Sequence, residues 1–404
     1  MMNKKNLEIY VHIPFCARKC AYCDFLSFPG NRQMQQEYTQ KLLEEIKYQS
    51  AYAGEYQVIS IFIGGGTPSI LEINQMTAIL EALNSQFDIQ PEAEITLEAN
   101  PGTVTSEALV QYKSEGVNRI SMGLQSADDK ELNYLGRIHT YDEFLKSYQR
   151  VRMAGFDNVN VDLISAIPGQ TVESWKNTLK KVTMLKPEHI SAYSLIVEEG
   201  TPFYDRYGEH VEMDNDSMTR EERRRLMSLP DLPDEDLERE MYYLTREFLK
   251  EQGYERYEIS NYSRKGYECR HNIGYWTGTE YLGLGLGSSS YMNGCRFHNT
   301  ASYQEYKNGG FERKEEFDKL LRQEFERLTM EEKMEEYMFL GLRLIEGVSA
   351  HGFVSSFGQN IRHVYGPVLD KLEREGLLEL KEGFYRLTER GIDISNYVMS
   401  QFLM

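Results

Sequence analysis

Three of the five cysteines, Cys16, Cys20 and Cys23, fall within eight residues in the stretch HIPFCARKCAYCDF (12–25), while Cys269 and Cys295 lie far down the chain. Thiolates are soft ligands, suited to iron–sulfur clusters and to zinc. A structural zinc site takes four ligands, usually in pairs, and an electron-transfer cubane takes four cysteines. Here there are three, and the nearest further donor, His12, comes before the group on the preceding apolar run. A cubane held by three thiolates keeps one iron open, and an open iron can bind a small molecule.

Other polar residues recur in phase with this group. The stretch IGGGTPS (63–69) follows an apolar run, and Gly65, Gly66 and Thr67 there offer backbone close approach and a hydroxyl. Glu98 stands in LEANP, Gln125 in MGLQS, Arg137 in LGRIHT and Asp162 in VDLISAIPGQT. Each sits at or just after the end of an apolar, β-rich run. Carboxylates accept hydroxyls or an amine, and an arginine clamps a carboxylate bidentately. Any one of them alone reads as a surface charge or a cap; five in phase with the run ends read as one site.

The elements that must position these residues alternate. Strands are expected near 7–14, 57–63, 93–98, 119–124, 158–164 and 189–196, and helices near 33–52, 71–86, 105–116, 141–155 and 171–186. Such alternation implies parallel strands joined by right-handed crossovers, with ligands gathering at the strands' C-terminal ends. Near-continuous apolar strands imply burial on both faces. Six units fall short of the eight in a closed barrel. The expected class is therefore α/β, a partial open (β/α)6 barrel, with a flat doubly wound sheet as the rival.

Three segments are expected: a barrel over 1–235, a Tyr- and Gly-rich connecting region over 236–310, and a C-terminal unit over 311–404. The stretch SLPDLPDEDL (228–237) reads as a linker or exposed loop. In the last segment Thr329 and Glu332 form a capping box ahead of an amphipathic helix. A second helix follows, then a hairpin turning at Glu382-Gly383, in the manner of a small winged-helix module.

Composition excludes several classes. The formal net charge is −18, so nucleic-acid binding gains nothing from counterion release. The one basic run, REERRRL (220–226), reads as a solvated helix face, and residues 311–404 carry 13 basic against 18 acidic side chains. No apolar run is long enough to span a bilayer, and the N-terminus shows neither a signal-peptide centre nor an Arg-rich presequence. An odd number of cysteines with a clustered trio fits a reducing compartment, so a cytoplasmic location is expected.

C-x3-C-x2-C with an aromatic residue, Tyr22, before the last cysteine resembles the radical S-adenosylmethionine (SAM) superfamily. The series HIPFC, CAYCDF, GGGTPS, EANP, SMGLQS and DLISAIPGQT is similar to the branch that contains oxygen-independent coproporphyrinogen III oxidase. The resemblance implies a [4Fe-4S] cluster on Cys16, Cys20 and Cys23 and a separate electron donor. It implies SAM on the open iron, among Tyr10, Tyr22, Gly65, Gly66, Thr67, Glu98, Gln125, Arg137 and Asp162. Arg137 is assigned to the SAM carboxylate; which of Glu98, Gln125 and Asp162 meets ribose and which meets amine is left open. Phe25 stands where the oxidase carries a further cysteine, and only fifteen residues precede Cys16. Both differences point away from oxidative decarboxylation.

The stretch CRHNIGYW (269–276) matches the HNxxYW signature of that branch's heme chaperones. The resemblance implies heme at His271, Asn272, Tyr275 and Trp276, with His271 as axial ligand and Cys269 in reserve. Imidazole is a common heme ligand, and aromatic rings pack well against a porphyrin. The plainer alternative is a packed loop whose histidine is a core residue. The function so implied is a heme chaperone serving a hemoprotein; the competing reading is a radical enzyme acting on a porphyrin or other substrate, by decarboxylation or methyl transfer. A homodimer and weak membrane association accompany the first reading.

Overall fold

The computed structural model describes residues 4–208, 220–310 and 314–404. Six strands run parallel and in sequence order: Lys5–Ile13 (β1), Tyr56–Gly65 (β2), Ile89–Ala99 (β3), Arg119–Gln125 (β4), Val159–Ser165 (β5) and His189–Ser194 (β6). Helices Arg32–Ser50, Ile73–Gln86, Ser106–Ser114, Tyr141–Met153 and Val172–Met184 return the chain between them. Every expected strand and crossover helix is present within a few residues. Four of these five helices are closed at their start by an N-cap side chain accepting a backbone N–H, as Asn31 does for Met34 and Thr105 for Ala108, while in Ile73–Gln86 the Gln75 side chain accepts the Glu72 N–H.

The sheet is open, in keeping with a partial barrel. The flanking strands come from the stretch 253–327. Tyr281–Leu284 pairs parallel with β1, followed outward by Ser289–Met292, Cys295–His298 and Gln323–Arg327. Asn261–Ser263 pairs antiparallel with β6, and Glu255–Arg256 lies beyond it. The stretch read as a connecting region thus supplies strands to both edges of one twelve-stranded sheet. The stretch 228–237 read as a linker or exposed loop packs back on the β5–helix loop, Gly169 N–H donating to the Asp231 carbonyl at 2.9 Å, and its last three residues begin a helix at Glu235.

Alternation along the strands divides the two faces. Leu7, Ile9, Val11 and Ile13 of β1 are buried in one apolar core with Leu42 and Ile46 of the first crossover helix. Each such side chain contributes roughly 1.5–3 kcal/mol of burial. The opposite, concave face is buried but polar. Register places Glu8 beside Ser60, Ser60 beside Glu94, Thr96 beside Arg119, Ser121 beside Asn160 and Asn160 beside His189. Both faces are buried as expected, yet only one is apolar.

Residues 330–404 build a second core around Met338, Phe353, Leu369, Leu372 and Tyr385. Thr329 and Glu332 form the expected capping box. Strands Leu378–Lys381 and Phe384–Leu387 turn at Glu382 and Gly383, whose φ of 53° and 85° are those of a tight hairpin turn. Helix Met330–Gly341 packs on helix Arg270–Thr277 of the larger unit.

Candidate functional site

The C-terminal ends of β2 to β6 and the loop after β1 surround one cavity of about 440 Å³. Cys16, Cys20 and Cys23 line it, all half-buried and none in a disulfide. So do Tyr22, Gly65, Gly66, Thr67, Glu98, Gln125, Arg137 and Asp162. The sequence therefore named eleven residues of one mouth, drawn from six separate stretches. Tyr10 is the exception. It lies beneath the mouth, its hydroxyl 3.0 Å from His12 Nδ1 and its ring stacked on Phe62.

Glycine is required at two positions of the IGGGTPS turn. Gly65 has φ of +110°, and a Cβ there would lie 2.5 Å from the His12 ring. A Cβ on Gly66 would lie 2.6 Å from the Phe15 carbonyl oxygen and 3.0 Å from Cys16 Sγ. Their bare backbone keeps the turn against the cysteine loop. Thr67 Oγ1 faces Cys16 Sγ at 3.5 Å. Gln125 adopts φ of +72° where the β4–β5 register shifts. A non-glycine residue in that region carries strain, and strain gathers where a side chain must be aimed at a ligand.

The charged groups are braced. Arg137 donates from Nη2 to the Gly123 carbonyl at 2.6 Å and to Asn100 Oδ1 at 2.8 Å, while Nη1 faces Cys20 Sγ at 3.7 Å. Asn100 also donates to Thr67 Oγ1 at 2.7 Å. It thus joins the glycine turn to the arginine, a role that sequence reading missed although LEANP contains it. Gly65 N–H donates to Glu98 Oε2 at 3.1 Å. Burial, with the neighbouring Asp162 charge, pushes the Glu98 carboxyl up to about 8. Asp162 accepts from Ser121 at 2.9 Å and from Asn160 at 2.7 Å, and burial also raises its pKa.

Burial pushes the Cys23 thiol up as well, so its thiolate needs a positive centre beside it. Among the described residues no three His, Cys, Asp or Glu side chains are spaced to clasp one metal ion. Cys16, Cys20 and Cys23 line one cavity as free thiols, the donor set that a cubane with one open iron would take. Phe25, at the place of the oxidase's extra cysteine, lines the mouth and is 68% exposed.

His271, Asn272, Tyr275 and Trp276 come together on helix Arg270–Thr277, apart from the cavity. His271 is 1% exposed. Its Nδ1 lies 2.8 Å from Ser60 Oγ, its Nε2 lies 3.1 Å from the Tyr275 hydroxyl, and its ring stacks on Phe62. The plainer reading, a satisfied core histidine, describes this placement. Burial pushes its pKa down to about 3, so the ring is neutral. Cys269 is buried, its thiol pushed up to about 12, and its Sγ faces Glu94 Oε1 at 3.4 Å. That thiol is not a ready ligand. The Trp276 ring lies under the Arg343 guanidinium at 4.3 Å, facing the C-terminal unit.

Comparison with known proteins agrees with this arrangement. Residues 10–182 match the radical SAM superfamily, and residues 328–394 match the HemN C-terminal domain. The chain is 36% identical over 404 residues to the heme chaperone HemW of Lactococcus lactis, covering 100% of this chain and 99% of that protein. It is 32% identical over 409 residues to the heme chaperone HemW of Escherichia coli, covering all of both. Among solved structures it is similar to the coproporphyrinogen III oxidase HemN of Escherichia coli. The TM-score is 0.81 at 21% identity, over 99% of this chain and 91% of that one, a likeness of fold.

Proposed function

The chain belongs to the HemW heme-chaperone family of the radical SAM superfamily, and from that premise we propose that it binds heme and delivers it to a hemoprotein. The observation that carries this reading is the likeness to heme chaperones across the whole chain rather than across the barrel alone.

A [4Fe-4S] cluster and SAM are the resident cofactors of this scaffold. Bound at the mouth, they would supply one-electron chemistry at a cluster iron left open by the three cysteines. The chain's own residues hold them. Cys16, Cys20 and Cys23 are the cluster ligands. The Arg137 guanidinium, already fixed by Gly123 and Asn100, receives the SAM carboxylate. Glu98, beside the Gly65 amide, receives the amine, and Gln125 and Asp162 take ribose hydroxyls. Tyr22 packs beside the cluster loop, and Tyr10 supports the site from below.

Heme engages helix Arg270–Thr277. His271 is neutral, as axial ligation requires, and Ser60 holds its Nδ1, leaving Nε2 as the ligating atom. The Tyr275 hydroxyl partners that nitrogen and His271 is 1% exposed, so Tyr275 and the packing around His271 must move for iron to reach it. Trp276 and Asn272 complete the contact surface.

The same reading places the protein in the cytoplasm and draws electrons from a separate donor. Among the described residues no helix is long and apolar enough to cross a membrane. A homodimer and weak membrane contact belong to the reading, and sedimentation and vesicle flotation test them. The central experiment is a heme titration of anaerobically reconstituted protein, with a parallel assay for deoxyadenosine. Wild type should bind heme, and His271→Ala should lose it while keeping cluster absorbance. Cys16→Ala, Cys20→Ala or Cys23→Ala should lose that absorbance. Porphyrin product formed with stoichiometric deoxyadenosine would replace the chaperone reading with the enzyme one.

A further inference from the structure

The polar concave face joins the two sites. Asp162, at the mouth, accepts on Oδ1 from Asn160 Nδ2 at 2.7 Å. Asn160 Oδ1 lies 2.6 Å from His189 Nδ1, and His189 Nε2 lies 2.8 Å from the Tyr257 hydroxyl. That hydroxyl accepts the backbone N–H of Cys269 at 3.3 Å. Cys269 is the N-cap of the helix that carries HNIGYW. Four hydrogen bonds thus run from the carboxylate assigned to SAM to the start of the helix assigned to heme.

The chain has one consistent proton order. Asn160 Oδ1 can only accept, so His189 donates from Nδ1 and accepts at Nε2 from the Tyr257 hydroxyl. The Tyr257 oxygen is then free to take the Cys269 amide. His189 is 0% and Asn160 2% exposed, so water cannot substitute for a lost partner. A second anchor runs alongside. Glu94 Oε1 faces both the His271 N–H at 3.3 Å and Cys269 Sγ, and the buried Arg119 acts electrostatically on Glu94, Cys269 and Asp162 together. Tyr257 reaches further still: its carbonyl accepts the Ile345 N–H of the C-terminal unit at 3.0 Å.

We propose that His189 and Tyr257 are positioning residues that couple SAM binding at Asp162 to the stability of helix Arg270–Thr277. The inference rests on the assignment of SAM to the mouth and gives the heme helix a route by which that cofactor governs it. A ligand hydroxyl donating to Asp162 competes with Asn160 for the carboxylate and loosens each bond behind it, so the helix start is held less firmly when SAM is present. Neither residue touches the cavity itself.

The test is hydrogen exchange of peptides covering residues 269–277 in the reconstituted, cluster-bearing protein, with and without SAM. In wild type SAM should speed exchange there by about fivefold, a coupling at the low end of the usual range. Tyr257→Phe should abolish that SAM-dependent difference while SAM affinity by equilibrium dialysis stays within about threefold of wild type. A residue that merely supports the fold would raise exchange equally in both states and leave the difference intact. That result in Tyr257→Phe, or no SAM effect in wild type that does bind SAM, overturns the proposal. Should Tyr257→Phe fail to fold, His189→Phe breaks the same route with a ring of similar volume and carries the same expectations. Failure of the heme reading would show separately, as absent heme binding beside an intact exchange response. Absent SAM binding would instead overturn the SAM assignment on which both rest.

Discussion

If Glu98 receives the SAM amine, SAM affinity must follow the ionisation of that carboxyl. Burial and the Asp162 charge hold it near 8, so at pH 7 only about one-tenth of the ligand-free protein carries the carboxylate. A bound ammonium group favours the charged form and drives the proton off. Affinity at pH 7 is then about tenfold below its limit, or about 1.4 kcal/mol, and about a hundredfold below at pH 6. The sign is fixed by linkage: the free protein binds more protons than the complex, so affinity rises with pH up to about 8 and then levels. The ligand's own amine titrates in this region too, but equally for every variant. The ratio of wild-type to Glu98→Gln affinity therefore isolates the carboxyl. It should climb by about tenfold per pH unit from 6 to 7.5. Calorimetry in two buffers of different ionisation enthalpy should find about 0.9 more protons released at pH 7 by wild type than by Glu98→Gln. A flat ratio, or equal proton release, would refute the assignment of Glu98 to the amine.

Gly66→Ala drives a Cβ to within 2.6 Å of the Phe15 carbonyl, which is backbone and cannot step aside. The cysteine loop must shift, and cluster absorbance after reconstitution should drop severely even though the helices of the barrel remain by circular dichroism. Glu45 is fully buried and accepts from Gly285 N–H and Asn299 Nδ2, and burial pushes its carboxyl up to about 7. The native state therefore keeps a proton that the unfolded chain releases. Stability relative to Glu45→Gln should fall by up to about 3 kcal/mol as pH rises from 4.5 to 7, read from urea unfolding at each pH. Trp175 is fully buried and donates from Nε1 to Thr245 Oγ1 at 2.8 Å, tying a crossover helix to helix Glu235–Glu251. Trp175→Phe removes that bond and part of the ring, and should cost about 2–4 kcal/mol in denaturant unfolding.

What the sequence disclosed followed from local signals. Six runs of alternating or continuous apolar residues, with five helical periods between them, set the order of the barrel, because side-chain period is a property of neighbours in the chain. The mouth was legible for a related reason. In a parallel sheet every strand's C-terminal end lies on the same side, so Gly65, Glu98, Gln125 and Asp162 needed only their places at strand ends to be put together. Asn100 escaped because an amide two residues past Glu98 looks like an ordinary turn residue; its value comes from reaching Thr67 and Arg137 at once. The flanking strands escaped because two to five residues, as in Glu255–Arg256 or Tyr281–Leu284, are too short to show a period.

The burial of His271 was illegible on different grounds. Within HNIGYW nothing local says which face of an eight-residue helix meets the sheet. The answer lies in Gly274, where a Cβ would fall 2.1 Å from Glu8 Oε1 on β1. That glycine lets the helix press onto the polar concave face, and the close approach brings His271 within reach of Ser60 and Cys269 within reach of Glu94 and Tyr257. Those partners are ordinary strand and loop residues in the sequence, and only the register that lines up Glu8, Ser60 and Glu94 gathers them. A motif read as a ligand surface is therefore also the plug of a barrel whose inner wall is charged. Any role for His271 in holding heme must act against the contacts that bury it, and the route from Asp162 through His189 and Tyr257 ends where those contacts begin.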